Sequence, residues 1–218
     1  LVDWPMHFRD QYVLTDINTE VNAYAVGSMR KLAALGRVIG KGAEAEQLEA
    51  QANRTAAAMR ARLLDTKTGL FCDGLGIENG TNRSAKTHSA WSAQTTTLWF
   101  GVAPAASHPQ MLQYLTKRRM VGSVYGAYSM LMALYELDSD HGRLALDMMT
   151  NCDGNSWCHM LSVNATATME AWSRGDKLNL SWSHPWATRT CTGACLRGGA
   201  SLCKPATSCH HGRRSFKY

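Results

Sequence analysis

The sequence predicts an all-α fold in which helical hairpins follow one another along the chain and are arranged in a ring. Apolar residues recur at helical spacing through most of residues 19–150, and short polar connections separate the segments. No alternation of strands and helices occurs, and no Gly-rich phosphate loop. No period of about 34–45 residues aligns the hairpins, which favours a ring with irregular loops over a helical-repeat solenoid.

The first predicted hairpin consists of residues 19–40 and 43–64. Asn18 or Thr19 is suited to cap the first helix, and Gly40 and Gly42 to end it. This helix carries one broad apolar face, formed by Val21, Tyr24, Ala25, Met29, Leu32, Leu35, Val38 and Ile39. The second helix has a narrower stripe, formed by Ala45, Leu48, Ala52, Thr55, Met59 and Leu63.

A loop and four more helices are predicted to follow. Residues 65–87 are rich in Gly, Asn, Asp and Ser and form the loop, with a short β-hairpin near residues 70–73. The predicted helices cover residues 88–100, 108–119, 123–137 and 141–150. Residues 155–186 crowd Trp, Asn, Thr and Ser without a long helical stripe, so we predict loop and short strand there.

The net charge of +6 belongs to a tail at residues 188–218. This tail has six basic residues and no acidic ones; without those six, the 23 basic residues fall to 17, equal to the 17 acidic residues. The body at residues 1–187 is therefore neutral, and we predict an irregular or disordered tail. A helical scaffold whose basic tail binds nucleic acid is one alternative, but no nucleic-acid partner is expected of the body.

The seven cysteines give no clear disulfide framework, because their number is odd. Three lie in the body and four in the tail: Cys72, Cys152, Cys158, Cys191, Cys195, Cys203 and Cys209. The tail cysteines precede His210 and His211 and so resemble a zinc site. They lack the paired two-residue spacings of zinc modules, so we expect no metal. An abrupt compositional change at Thr188 indicates either an out-of-frame sequence or a genuine extension.

Targeting signals leave the compartment undetermined. No run of 18 or more apolar residues predicts a membrane span, so no membrane partner is expected, and no signal peptide begins at Leu1. The chain has no initiator Met and starts within a motif, so we expect a fragment. Five sequons are compatible with a secreted parent protein and start at Asn53, Asn79, Asn82, Asn164 and Asn179.

The strongest candidate for chemistry is Glu170, which is followed closely by Trp172. His184 lies fourteen residues further along, between Trp182 and Trp186. Hydrolysis of a glycoside needs a carboxylate that activates water, and indole faces stack on the C–H faces of sugar rings. The alternative is that Glu170 only caps a helix or faces solvent.

Two further groups have both a functional and a structural interpretation. Asp3 and Trp4 could bind a sugar hydroxyl and stack on the ring, or they could form a surface turn before Pro5. His88 at a predicted helix start, with Trp91 and Gln94, could bind substrate or serve structure alone. A Ser nucleophile motif and a His-Glu-x-x-His zinc signature are both missing.

Six segments of the chain occur in the order typical of one family. They are Asp3-Trp4-Pro5; Asn22-Ala-Tyr24 and its helix; His88-Ser-Ala-Trp-Ser-Ala-Gln94; Val121-Gly-Ser-Val-Tyr-Gly126; Ser156-Trp157 with Thr168-Met-Glu170-Ala-Trp172; and Ser181-Trp-Ser-His184. Over residues 1 to about 187 the chain thus resembles glycoside hydrolase family 78, the α-L-rhamnosidases, which have an (α/α)6 six-hairpin domain. About six helices are predicted here where the ring needs twelve, so the resemblance implies roughly half a toroid.

The resemblance implies an inverting hydrolase of terminal α-L-rhamnosides, with a carbohydrate substrate and no metal or organic cofactor. Glu170 matches the general base, whereas the family's general acid lies in an upstream segment not found here. The expected sugar-binding residues are Asp3, Trp4, His88, Trp157, Trp182 and His184. Two alternatives remain, a carbohydrate-binding pseudoenzyme and a related (α/α)6 hydrolase of different sugar specificity. The implied half ring would expose apolar faces, so we also expect low stability of the isolated chain.

Overall fold

A computed structural model describes residues 3–78, 81–84, 88–137 and 139–188. Within these ranges it contains seven α-helices and five short strands. The helices are α1 (Thr19–Val38), α2 (Gly42–Leu63), α3 (Trp91–Trp99), α4 (His108–Arg118), α5 (Val124–Leu137), α6 (Ser139–Thr150) and α7 (Trp157–Ser162). The strands are β1 (Ile17–Asn18), β2 (Leu64–Asp65), β3 (Leu70–Phe71), β4 (Gly74–Glu78) and β5 (Thr81–Ser84). The all-α prediction is therefore confirmed, whereas the predictions for the tail lie outside the described residues.

The helices form three successive hairpins, α1–α2, α3–α4 and α5–α6. Helix α3 packs against α1 on one side and α5 on the other, so these three helices make an inner row. Residues Trp91 to Leu98 of α3 are all buried. The hydroxyls of its consecutive threonines 95–97 donate to backbone carbonyls one turn earlier, and a threonine-rich helix is thereby accommodated inside the core.

Two small sheets sit at the helix ends. Strand β4 pairs antiparallel with both β1 and β5, and β2 pairs antiparallel with β3. The predicted β-hairpin near residues 70–73 is thus partly right. Leu70 and Phe71 do form a strand, but that strand pairs with β2, and a longer hairpin follows in β4 and β5.

The limits of α1 follow from its sequence. The Asn18 side chain accepts a hydrogen bond from the Val21 amide at 2.9 Å, which satisfies a free N–H of the first turn. Gly40, with φ of 76°, lies just beyond the other end, where only glycine adopts this conformation without strain. The predicted cap and stop of this helix are therefore confirmed.

Helices α3 and α7 differ most from prediction. Helix α3 begins at Trp91 rather than at residue 88, because carboxylates hold the chain extended before it: the Ala90 amide donates to Asp73 at 2.6 Å. Helix α7 forms in a stretch predicted to be loop and strand. The Ser156 side chain caps it, and a disulfide between Cys152 and Cys158 closes the loop that leads into it.

The predicted apolar face of α1 is wrong, because none of its eight residues is buried and the helix packs through a different side. Ala23, Val26 and Ala33 are fully buried against the neighbouring helices. The large side chains on the other flank have exposures of 52–83%, and they are Val21, Leu32, Leu35, Val38 and Ile39. These five side chains form an apolar stripe on the surface of α1.

We predict that Gly27→Ala destabilises the chain by about 1–3 kcal/mol through overpacking. A Cβ atom on Gly27 would lie 2.0 Å from the Phe100 ring, which is itself buried and stacks on Trp99 at 4.3 Å. Chemical denaturation monitored by circular dichroism measures the difference.

Gly42→Ala is the matched control for this substitution. Gly42 is the first residue of α2, and a Cβ atom there meets nothing within 4 Å. Alanine raises helix propensity, so this control is expected to leave stability unchanged or slightly higher. If both substitutions destabilised the chain equally, the close contact with Phe100 would not be the reason why residue 27 is glycine.

Candidate functional site

The N-termini of the inner helices meet buried carboxylates from other segments. Helix N-termini carry free N–H groups and partial positive charge, which favour an anion. Asp10 accepts from the Trp91 amide at the start of α3 at 2.8 Å. Asp3 accepts from the Ser123 amide just before α5 at 2.9 Å. The segment before β1 is therefore fixed to two inner helices at one end of the row.

Asp3 is turned into the protein rather than toward solvent, since it is only 2% exposed. Besides the Ser123 amide, its carboxylate accepts the Ser123 hydroxyl and the Trp4 amide. Burial raises the pKa of Asp3, although these hydrogen bonds and the charge of Arg9 oppose the shift. Both carboxylate oxygens of Asp3 accept hydrogen bonds from the protein itself. The geometry therefore indicates that Asp3 has a structural role and supports Trp4.

Glu170 lies in an irregular segment that runs beside residue 181. Its amide donates to the Ser181 carbonyl at 2.9 Å, and the Ser181 amide donates to its Oε2 at 3.0 Å. The Lys177 ammonium donates to Oε1 at 2.6 Å. These two hydrogen bonds, with that to Lys177 the stronger effect, lower the pKa of Glu170, so the carboxyl group is ionised at neutral pH.

A cluster of aromatic rings centred on Trp186 lies next to the backbone of Glu170. The Trp186 indole N–H donates to the Glu170 carbonyl at 3.1 Å. Its ring lies 4.3 Å from His184, 5.5 Å from Tyr125 and 6.3 Å from Trp4, measured between centroids. Of the residues selected from the sequence, Glu170, Trp4 and His184 are thus brought together, although Trp4 is distant from the other two along the chain.

The chain is similar to one known protein family over most of its length. Residues 1–192 match the family described as the bacterial alpha-L-rhamnosidase 6 hairpin glycosidase domain. The chain belongs to this family. The predicted relation to the six-hairpin α-L-rhamnosidases is therefore confirmed.

Solved structures show that the fold of this six-hairpin domain is shared. The GH78 family rhamnosidase of Bacillus sp. GL1 is similar with a TM-score of 0.70 and 23% identity, over 92% of this chain and 20% of that one. The alpha-L-rhamnosidase from Dictyoglumus thermophilum is similar with a TM-score of 0.62 and 15% identity, over 80% of this chain and 19% of that one. The chain therefore spans about a fifth of the length of these structures. No curated protein matches it with comparable significance.

Two of the predicted sugar-binding tryptophans lie beside the site in this rhamnosidase-family domain. Trp182 is half-buried, and the Arg174 guanidinium covers its ring at 4.3 Å. The Trp157 ring packs edge-on against Trp172 at 5.0 Å, and its N–H donates to the Ala187 carbonyl at 3.1 Å. These contacts give Trp157 a packing role at the start of α7, and both tryptophans keep part of their surface accessible.

His88 belongs to a different group of side chains. Its Nδ1 lies 2.6 Å from Asp73, whose carboxylate also accepts the Val13 and Ala90 amides. Gln94, predicted alongside it, is buried and exchanges hydrogen bonds with the backbone of Phe71. No contact within the described ranges connects His88 to the group around Glu170.

Sequence reasoning did not select Lys177 or give a role to Trp186. Lys177 contacts Glu170 and lies seven residues after it in the sequence. The segment between them is irregular, so no helix or strand periodicity predicts the contact. Trp186 could have been selected, since it lies close in sequence to His184, which was predicted to bind sugar. Two absences hold for the described ranges: no group of three or more potential ligands could hold a metal ion, and no helix is long and apolar enough to cross a membrane.

Proposed function

We propose that this domain belongs to a longer inverting glycoside hydrolase that cleaves terminal α-L-rhamnosides, with Glu170 as the general base. The observation that carries the proposal is an ionised carboxylate on Glu170, a residue only 9% exposed, whose backbone contacts Trp186, with the Trp4 and His184 rings packed beside that tryptophan. Membership of the rhamnosidase family supports rhamnose as the sugar that is released, and the neighbouring aromatic rings support a carbohydrate as the substrate class.

The carboxylate has room to act as a base while keeping its two contacts. An ionised carboxylate has about four lone-pair positions. Lys177 and the Ser181 amide occupy one on each oxygen of Glu170, which leaves positions for a water molecule. Glu170 takes a proton from this water, whose oxygen bonds to the anomeric carbon as the glycosidic C–O bond breaks.

The departing alcohol needs a proton from a second carboxyl group. In inverting enzymes this general acid stands about 6.5–9.5 Å from the base, which leaves space for the water. In our proposal it comes from a segment of the parent enzyme outside this chain. Trp4 and Trp182 offer indole faces to the sugar ring, and His184 offers a ring nitrogen to a hydroxyl.

The test is hydrolysis of an aryl α-L-rhamnoside by the full-length protein, followed by proton NMR within the first minutes. Inversion predicts that β-L-rhamnose appears first and then equilibrates with the α anomer. First appearance of the α anomer would contradict the mechanism. Turnover of a different aryl glycoside alone would contradict the sugar assignment. Binding of L-rhamnose without any turnover would instead support a carbohydrate-binding pseudoenzyme.

A further inference from the structure

Lys177 lies close to both Glu170 and Trp4, two members of the candidate site that are distant along the chain. Its ammonium lies 2.6 Å from Oε1 of Glu170 and 5.3 Å above the centre of the Trp4 ring. A cation over an indole face is attracted by the negative potential of the ring. The Lys177 side chain is 31% exposed, so its stem reaches the carboxylate from the solvent side.

The turn before Lys177 fixes where the ammonium can lie. Ser173 and Asp176 cap this turn reciprocally, and the Ser173 amide donates to Asp176 at 2.7 Å. Asp176 also lies 3.4 Å from the His7 ring, which belongs to the segment that carries Trp4. Lys177 therefore starts from a backbone held both by its own turn and by the chain around Trp4.

Within the part of the chain that the structure describes, Lys177 is the cation that forms an ion pair with Glu170. The Ser181 amide holds the other carboxylate oxygen, and His184 adds a smaller electrostatic contribution of the same sign. An ammonium at hydrogen-bond distance restricts the orientation of a carboxylate and favours its charged form.

We propose that Lys177 is a positioning residue. It orients the Glu170 carboxylate so that this group can take a proton from water, and it keeps the carboxylate ionised. The inference rests on the proposed function, because it assigns Glu170 the role of base. Because its ammonium also lies over the Trp4 ring, Lys177 links the proposed base to a proposed sugar-binding tryptophan.

Lys177→Met and Lys177→Arg separate this role from simple packing. Methionine keeps an unbranched stem without charge, and arginine keeps the charge. With full-length enzyme and an aryl α-L-rhamnoside, we expect Lys177→Met to move the acidic limb of the kcat/KM profile to higher pH. Its activity at pH 5 should fall about 10-fold. Lys177→Arg should restore the limb, and Lys117→Met, on an exposed position of α4, should not move it.

An NMR titration makes the result independent of catalysis. Carboxyl-labelled glutamate signals, with Glu170 assigned by its loss in Glu170→Gln, should titrate at higher pH in Lys177→Met than in the wild type. An unchanged titration would overturn the proposal. A shifted titration with full activity in Glu170→Gln would refute the base assignment while leaving the contact with Lys177 intact. A shifted titration with an unmoved pH–rate limb would overturn the catalytic part.

Discussion

Glu170→Gln in the full-length protein should lower kcat/KM for an aryl α-L-rhamnoside by about 10²–10⁴-fold. The amide has almost the same shape and can still accept the Ser181 hydrogen bond, but it cannot take a proton from water. A loss of this size with an unchanged circular dichroism spectrum would assign the defect to chemistry. Initial-rate measurements at several substrate concentrations give the value.

Glu44→Gln provides the matched control. Glu44 lies in the first turn of α2 and is exposed, so the same change of charge there should leave kcat/KM within about twofold, as is usual for surface positions far from a site. If Glu170→Gln retained wild-type activity, the general base would have to be another group. The site around Trp186 would then be a sugar-binding surface at most.

The parts of the fold that follow local rules could be predicted from the sequence. Helices α1 and α2 have continuous apolar periodicity over five or more turns, and Asn18 caps α1 as its side chain predicts. Short connections between periodic segments place neighbouring helices antiparallel. These signals depend only on residues close together along the chain.

The candidate site was predictable only where composition was unusual. Glu170 and His184 stand out because tryptophans surround them in the sequence, and the structure brings both to Trp186. Lys177 is an ordinary lysine in an irregular segment, and only the fold brings its ammonium to a carboxylate. His88 has a structural partner in Asp73, fifteen residues earlier in the chain. The apolar periodicity that predicted a helix start at His88 could not predict this contact.

The broad face of α1 shows a different limit of sequence analysis. Apolar periodicity predicts which residues face a partner, but it does not say whether that partner lies within the same chain. Ala23 and Ala33, which lie outside the predicted face, are buried, whereas Leu32 and Leu35 of that face remain more than half exposed. The large apolar side chains therefore indicate the wrong side of α1, because small alanines form the side that packs.

Glu20→Gln should make the stability of the chain less dependent on pH, with the largest gain in alkaline solution. Glu20 lies in the first turn of α1, is 6% exposed, and its Oε2 has no hydrogen-bond partner within the described ranges. Burial, reinforced by the negative charge of Asp3, raises the pKa of Glu20 to about 8. A buried carboxyl group without a cation is stable only in its neutral form.

The sign of the effect follows from proton linkage. An unfolded chain releases this proton near its ordinary pKa of 4.5, whereas the folded chain keeps it to about pH 8. Folded wild type thus binds more protons between these values, and its unfolding free energy falls as pH rises, by roughly 3–5 kcal/mol in total. Glutamine does not titrate, so the stability of Glu20→Gln relative to wild type should increase by that amount from pH 5 to pH 8.

Urea denaturation of both proteins at pH 5 and pH 8 measures this change. Asp3 also has a raised pKa, but it is present in both proteins, so its contribution largely cancels in the difference. Glu46→Gln, at an exposed position of α2, controls for the removal of one negative charge and should show no comparable pH dependence. A difference between wild type and Glu20→Gln that stays constant with pH would mean that Glu20 is already ionised in the folded chain. Its free oxygen would then need a positively charged or hydrogen-bonding partner at the start of α1.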